Sequence, residues 1–152
     1  MSEMKAAAQW LQQTLRHEIP LTGAIGLRVV AWDGESLTLG APLAPNTNHK
    51  QTAFGGSLYS VAVLAGWGML QLKLREQGLD GVVVIHESRV SYRLPVQGDF
   101  TATCRIDEPQ ALERALTLFR RRGRARLALR VTIGEPGGDI AMELEGRYVV
   151  RR

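Results

Sequence analysis

The chain has 152 residues, 45% of them hydrophobic and 22% charged, with a formal net charge of +4. This composition predicts one globular domain and excludes a disordered or fibrous chain, and the mild positive charge permits an anionic ligand without requiring nucleic acid. The first residues lack the apolar segment of a secretory signal, and Cys104 is the only cysteine, so no internal disulfide can form. We therefore expect a single domain over 1–152 in the cytoplasm.

The first predicted elements are a helix and a hairpin. Apolar side chains repeat at helical spacing over about 3–17, and Pro20 marks the end of that helix. Two alternating apolar runs then flank Asp33 and Gly34. An Asp-Gly pair in this setting predicts a two-residue turn in which both residues have positive φ.

A buried helix forms the centre of the predicted fold. No charged residue lies between Lys50 and Lys73, and nearly every side chain over 58–72 is apolar or small. A helix that is apolar on all sides must be surrounded by protein, and this one is too short, and too interrupted by glycine, to span a membrane. We predict the central helix at about 56–77, entered from a polar loop.

The second half of the chain alternates between apolar and polar residues, apart from one helix that opens at Pro109. Alternation along the first strand predicts one face made of Val84, His86, Ser88, Val90, Tyr92 and Leu94, and a turn is predicted at 136–139. Clean alternation favours antiparallel pairing. A six-stranded curved antiparallel sheet wrapped around the buried helix, with an N-terminal helix, is the α+β architecture called the hotdog fold, and we predict it here.

The residues around the start of the central helix resemble a known motif. The run 48–56 resembles the loop of phenylacetate-type acyl-CoA thioesterases, which reads approximately N-P-x-G-x-x-H-G-G. Residues 52–67 are similar to the hallmark of the thioesterase family known as the YiiD C-terminal domain, and residues 91–96 and 146–150 also resemble that family. Its members stand alone or follow a GNAT acetyltransferase.

The resemblance implies a hydrolase acting on an acyl-CoA or acyl-carrier-protein thioester, with no cofactor beyond the coenzyme A of the substrate. It also implies a homo-oligomer, a dimer or a dimer of dimers, because relatives pair through their long strands. Neither nucleic acid nor a membrane is an expected partner.

Thioester hydrolysis needs a polarised carbonyl and an activated water. Backbone amides at a helix amino terminus are unpaired and lie at the positive end of the helix dipole, so the start of the helix would stabilise an oxyanion. The glycines there could instead serve only a tight turn. The expected substrate-binding residues are Asn46, Thr52, Phe54, Gly55, Gly56 and Ser57.

Asn48 matches the asparagine of the thioesterase motif and could hold water or the carbonyl. His49 is the candidate general base, because an unperturbed imidazole titrates near neutral pH, although a solvated loop histidine is equally ordinary. The chain departs from the motif at Phe54, which replaces a histidine, and at Val63, which occupies the place of an acidic residue. We therefore do not expect a carboxylate base on the helix.

Glu87 on the long strand is the candidate replacement carboxylate, from the same subunit or a second one, and Ser88 could help to position water. Strand periodicity places these two neighbours on opposite faces, so at most one of them can face a given site. A surface role for Glu87 is the alternative.

A dense group of arginines lies between residues 120 and 130. Arg124 and Arg126 are the expected contacts to the phosphates of coenzyme A, because guanidinium groups bind phosphate bidentately. A solvated strand edge that discourages aggregation is an equal alternative. No metal-ligand spacing is present. The leading hypothesis is a thioesterase; the second is a non-catalytic acyl-thioester or CoA-binding module that partners an acetyltransferase, and a hydratase is weaker.

Overall fold

The computed structural model describes residues 2–134 and 138–152. Its elements are α1 Ser2–Glu18, α2 Leu21–Ile25, β1 Arg28–Trp32, β2 Ser36–Ala41, a 3-10 turn at Ala44–Asn46, α3 Gly55–Glu76, β3 Val82–Tyr92, β4 Phe100–Arg105, α4 Pro109–Arg122, β5 Arg124–Gly134 and β6 Ile140–Arg151. The turn predicted at 136–139 lies mostly outside the described residues. Among the helices described, none is both long and apolar enough to cross a membrane.

The six strands form one antiparallel sheet in the order β1-β2-β4-β5-β6-β3. The inner face of this sheet packs on α3, which contacts β2 through β6. Along β5, Ala125, Leu127, Leu129, Val131 and Ile133 are buried while the residues between them are exposed or half-buried. The α+β hotdog architecture predicted from the alternating pattern is confirmed.

A glycine lets α3 lie close against the sheet. A Cβ atom at Gly66 would lie 2.1 Å from the Tyr148 hydroxyl, so only glycine leaves room for that side chain. The hydroxyl donates a hydrogen bond to the carbonyl of Val63 at 2.7 Å. Burial raises the pKa of Tyr148 well above its usual value, so the hydroxyl remains a donor. The middle of α3 is thus fixed to β6 by one tight polar contact.

The face predicted for the long strand is wrong in its first half. A bulge at His86 shifts the register between Ile85 and Glu87, and a bulge moves every later side chain by one position. Ile85 therefore lies on the inner face, and Val84, assigned to that face from the alternation, lies on the outer one. Beyond the bulge, Ser88 faces inward opposite Gly146, as the alternation predicts.

The hairpin is present, but its turn differs from the prediction. The connection has three residues rather than two, and of Asp33 and Gly34 only the glycine has positive φ, at 96°. The Asp33 carboxylate instead accepts hydrogen bonds from the backbone of Glu35 at 2.9 Å and Ser36 at 2.8 Å. These bonds hold the pKa of Asp33 below its ordinary value. Asp33 therefore supplies the hydrogen-bond acceptor of the turn, and Gly34 supplies its positive φ.

Strand β3 closes one end of the sheet and pairs with β6 alone among the described strands. It is 11 residues long and carries exposed apolar side chains, with Val82 at 47%, Val84 at 41% and Tyr92 at 55% exposure. A long apolar edge strand is a surface on which another strand can pair.

Candidate active site

Asn46 holds the loop before α3 onto the rest of the fold. Its side chain is buried, and its amide nitrogen donates to the carbonyls of Ile25 at 2.9 Å and Pro42 at 2.7 Å. Its own carbonyl accepts a hydrogen bond from the Phe54 amide at 2.7 Å. Asn46 therefore supports the loop from beneath, with its side-chain donors directed into the protein.

The next turn is built on Asn48. The Oδ1 atom of Asn48 accepts from the backbone amides of Lys50 at 2.8 Å and Thr52 at 3.2 Å, and its Nδ2 donates to Thr52 Oγ1 at 2.9 Å. Gln51 adopts a φ of 67°, the one positive value among the described non-glycine residues. These bonds close the turn on itself and leave His49 exposed at its tip.

The first two backbone amides of α3 have no acceptor among the described residues. Ser57 and Leu58 donate to the carbonyl of Phe54, at 3.0 and 3.1 Å, but the N–H groups of Gly55 and Gly56 make no such bond, and Phe54 provides no side-chain cap. Gly55 is half-buried and Gly56 is exposed. Unpaired amides at the positive end of a 22-residue helix form an anion-binding position.

Two aromatic side chains border these amides. Tyr92 donates from its hydroxyl to the Gly55 carbonyl at 2.9 Å, and burial, followed by the nearby Tyr59, raises its pKa. The Phe54 ring lies over Gly56, where a Cβ atom would come within 2.4 Å of the ring. The glycines thus admit close neighbours, and Phe54 itself is 56% exposed. No local sequence pattern joins Tyr92 to Gly55, because the two lie 37 residues apart, so the motif alone does not predict this contact.

Glu87 is not brought to the loop within one chain. It lies on the outer face of the sheet, where its carboxylate is 3.6 Å from Arg147. Ser88 takes the inner face and shares a 2.9 Å hydrogen bond with the Tyr59 hydroxyl. The opposite orientation of these two neighbours agrees with the strand periodicity.

Arg124 and Arg126 also lie away from the loop of their own chain. Arg124 is opposite Arg151 on β6, which is opposite Val82 at the start of β3. The loop instead contacts the far end of β3 through Tyr92, about 33 Å along the strand at its usual rise. Both arginines are exposed on the outer face.

Helix α3 carries a single acidic residue, Glu76, at its last position, where it pairs with Lys73. Val63 occupies the second turn from Gly56, and it is half-buried together with Tyr59 and Trp67, one turn before and one turn after it. This i, i+4 stripe was hidden by the uniformly apolar sequence of the helix. It is the one side of α3 that the described part of the chain leaves incompletely covered.

Within residues 2–134 and 138–152, no three His, Cys, Asp or Glu side chains converge as metal ligands do. Cys104 is buried in the core, and burial raises the pKa of its thiol to about 12, so the thiolate is suppressed.

Comparisons with known proteins agree with this architecture. A family model described as "Putative thioesterase (yiiD_Cterm)" matches residues 8–152. A Chlorobaculum tepidum TLS protein of unknown function is 34% identical, with a TM-score of 0.93 over 98% of this chain and 96% of that one. A Shewanella oneidensis protein titled "putative thioesterase" is 28% identical, with a TM-score of 0.88 over 98% of this chain and 100% of that one.

A protein of the E. coli phenylacetic acid degradation operon shares the fold at 14% identity, with a TM-score of 0.69 over 98% of this chain and 96% of that one.

Proposed function

This chain belongs to the YiiD C-terminal-domain family of thioesterase type, and we propose that it hydrolyses acyl-CoA or acyl-carrier-protein thioesters in the cytoplasm. The observation that carries the proposal is the pair of unpaired amides at Gly55 and Gly56. A thioester carbonyl oxygen placed there gains negative charge in the transition state, so the amides stabilise the transition state more than the substrate.

The active form is a dimer in this proposal. The apolar outer edge of β3 and the half-buried stripe of α3 lie side by side, because the Trp67 indole donates to the Val83 carbonyl at 3.0 Å. A second copy paired with β3 would cover both surfaces. An antiparallel pair of β3 strands would also place the start of each strand, and with it the end of β5 that carries Arg124 and Arg126, beside the end of the other strand.

Within that dimer, we assign the roles predicted from the sequence. Asn48 and His49 position the attacking water, and His49 accepts a proton from that water as general base. Glu87 lies near the middle of β3 and supplies a carboxylate at the boundary between copies. Arg124 and Arg126 hold the phosphates of coenzyme A, and the turn formed by Thr52, Phe54 and Ser57 shapes the entrance.

The amide assignment is tested by removing one donor. Gly55 is the first helical residue, where proline is tolerated, and Phe54 already has the extended ψ of 133° that a following proline requires. Gly55→Pro therefore deletes the N–H while keeping the helix, and Gly55→Ala adds a Cβ atom but keeps the N–H. We expect kcat of Gly55→Pro to fall roughly 10²–10³-fold below that of Gly55→Ala.

The measurement is thiol release from acetyl-, octanoyl-, palmitoyl- and phenylacetyl-CoA, with binding of a non-hydrolysable analogue followed by calorimetry. Equal kcat in the two variants would remove the amide from the mechanism. The same assay on Asn48→Ala, His49→Ala and Glu87→Ala separates their roles, because a variant that retains full turnover loses its assigned role.

A second candidate is a non-catalytic module that binds acyl thioesters or coenzyme A and partners a GNAT acetyltransferase. It is favoured by the lack of a carboxylate in the first turns of α3, since Val63 occupies the expected position, and by the pairing of Glu87 with Arg147. Tight binding of the analogue without turnover of any ester would select this candidate.

A further inference from the structure

The bulge in β3 places two polar side chains next to each other on the outer face of the sheet. Ile85 is opposite Tyr148 and Glu87 is opposite Arg147, so His86 is the extra residue between these two pairs. In a bulge, two residues of one strand oppose one residue of its partner, and the local change of direction re-aims a side chain. His86 and Glu87 are both exposed, and they lie beside Arg147 on the outer face.

A pocket of about 300 Å³ opens beside this bulge. It is lined from three neighbouring strands, by His86 of β3, by Arg126 and Ala128 of β5, and by Arg147 and Val149 of β6, among others. Arg126 is opposite Val149, and Ala128 is opposite Arg147. The two arginines are therefore diagonal neighbours across the pair of strands, about 7–8 Å apart. Long side chains at this spacing reach the same small group between them.

The pocket exists because one outward position of β5 carries a small residue. Arg124, Arg126 and Arg130 are exposed on this face, and Ala128 interrupts the row. The floor is apolar, because Val149 is only 4% exposed although it lies on the outer face opposite Arg126, outside the apolar core that surrounds α3. A short side chain among long ones leaves a depression with guanidinium walls.

The surroundings of the pocket are positively charged. Arg124 and Arg151 are opposite each other at its border, and neither they nor Arg126 form an ion pair within the described part of the chain. One carboxylate is close, that of Glu87, which lies 3.6 Å from Arg147. Both members of this pair are exposed, and exposed ion pairs are weak, so Arg147 remains available to a stronger anion.

The donors around the pocket identify the class of ligand. A guanidinium group is a planar fork of donors that binds phosphate bidentately, and the imidazole of His86 offers an N–H donor in either protonation state. Donors that converge from three strands match a tetrahedral group with several oxygens better than a planar carboxylate. The apolar floor at Val149 leaves room for an organic substituent beside the anion.

We propose that this pocket binds a phosphate group, as free phosphate or as a small phosphomonoester, between Arg126 and Arg147 with His86 as a third donor. The site is complete within one chain. It goes beyond the proposed hydrolysis and depends neither on that assignment nor on a second copy. The bulge then has a defined task, which is to bring His86 to the same face as the two arginines.

The test is calorimetric titration of the full chain with inorganic phosphate and with phenyl phosphate, in a phosphate-free buffer of fixed ionic strength. We expect Arg126→Gln and Arg147→Gln each to weaken binding of both probes about tenfold or more, because each removes a charged hydrogen-bond donor. Glu87→Gln should strengthen binding, because it removes the carboxylate that competes for Arg147. Arg114→Gln, on the exposed side of α4 and outside the pocket, is the charge-matched control and should bind like the parent.

Ala128→Phe distinguishes a shaped pocket from a diffuse field of positive charge. It fills the depression without changing any charge, at an exposed strand position where an aromatic residue is well tolerated. We expect it to weaken binding as much as the arginine variants do. Tighter binding of phenyl phosphate than of phosphate would identify an ester whose organic group rests on Val149, and equal binding would identify the free anion.

Three results would overturn the proposal. The first is binding of neither probe by the parent, whether or not thioesters are hydrolysed. The second is equal affinity in the parent, Arg126→Gln and Arg147→Gln. The third is unchanged binding in Ala128→Phe, which would mean that the arginines attract anions without forming a site.

Discussion

The two ends of α3 are built from different interactions. At the amino end, directed hydrogen bonds fix the backbone around two open amides: Asn46 and Tyr92 donate to backbone carbonyls, and Asn48 accepts from the backbone of Lys50. At the carboxyl end, aromatic rings from α1, α3 and α4 surround a wide crevice, and the Trp67 indole makes one hydrogen bond to β3.

The two kinds of interaction differ in how precisely they fix their neighbours. Hydrogen bonds depend steeply on distance and angle, so a network of them places an amide where a carbonyl oxygen must sit. Apolar contact is non-directional and scales with buried area, so aromatic walls hold their neighbours without fixing an exact position. The amino end is therefore held by geometry, and the carboxyl end is held by packing.

Both ends depend on the middle of α3 lying close to the sheet, and this contact gives the largest expected effect. Gly66→Ala places a Cβ atom 2.1 Å from the Tyr148 hydroxyl, which forces the helix or Tyr148 to move and weakens the bond to Val63. We expect a loss of about 3 kcal/mol in the free energy of unfolding, measured by urea titration. Gly23→Ala is the control, because nothing lies within 4 Å of its Cβ position; similar losses in both variants would refute the close-packing account.

The amino end is tested next by Asn46→Ala. This change removes the donor to two carbonyls beneath the loop, and leaving buried acceptors unpaired costs about 2 kcal/mol in unfolding free energy. Asn48→Ala, in a half-buried turn, should cost about 1 kcal/mol. If Asn46→Ala proved the milder of the two in urea unfolding, the loop would be held by its own turn rather than from beneath.

Most of the fold could be predicted from the sequence because apolar and polar residues alternate cleanly along its strands. Along β5 each apolar residue except Ala128 is buried and each arginine is exposed, so period two alone predicts the face. The same rule failed on β3, where the bulge at His86 changes the phase. Nothing in the residues around His86 marks an extra position, because β3 is an edge strand and both of its faces carry mixed side chains.

The two ends of α3 also differed in how far the sequence could predict them. The loop at the amino end is contiguous in sequence, so a motif predicted Gly55 and Gly56. The crevice is assembled from residues as distant as Trp10 and Arg152, and no local pattern connects them. The arginine cluster was visible as a charge run, but its separation from the loop depends on strand order, which the sequence does not state.

The carboxyl end is probed by Trp67→Phe. The indole N–H donates to the Val83 carbonyl at 3.0 Å, and phenylalanine keeps most of the apolar contact while losing this bond. We expect unfolding to become easier by about 1 kcal/mol. Trp10→Phe makes the same change on the opposite wall, where the indole has no such partner among the described residues, and should cost less. Equal costs in thermal or urea unfolding would show that the crevice walls are held by packing alone.

The smallest effect is expected for Tyr92→Phe, which removes the hydroxyl that donates to the Gly55 carbonyl at 2.9 Å. Tyr92 is largely exposed, so the cost should be about 0.5 kcal/mol. Burial raises the pKa of Tyr92 above its ordinary value of 10.0. Because the folded pKa exceeds the unfolded one, this stabilisation is complete below pH 10 and is lost as pH rises through the folded value. Urea titrations at pH 8 and above pH 10 should therefore show the difference between Tyr92→Phe and the parent shrinking with pH. Equal stability of Tyr92→Phe and the parent at both pH values would mean that Tyr92 supports the amino end of α3 by its ring alone, and that end would then resemble the aromatic carboxyl end.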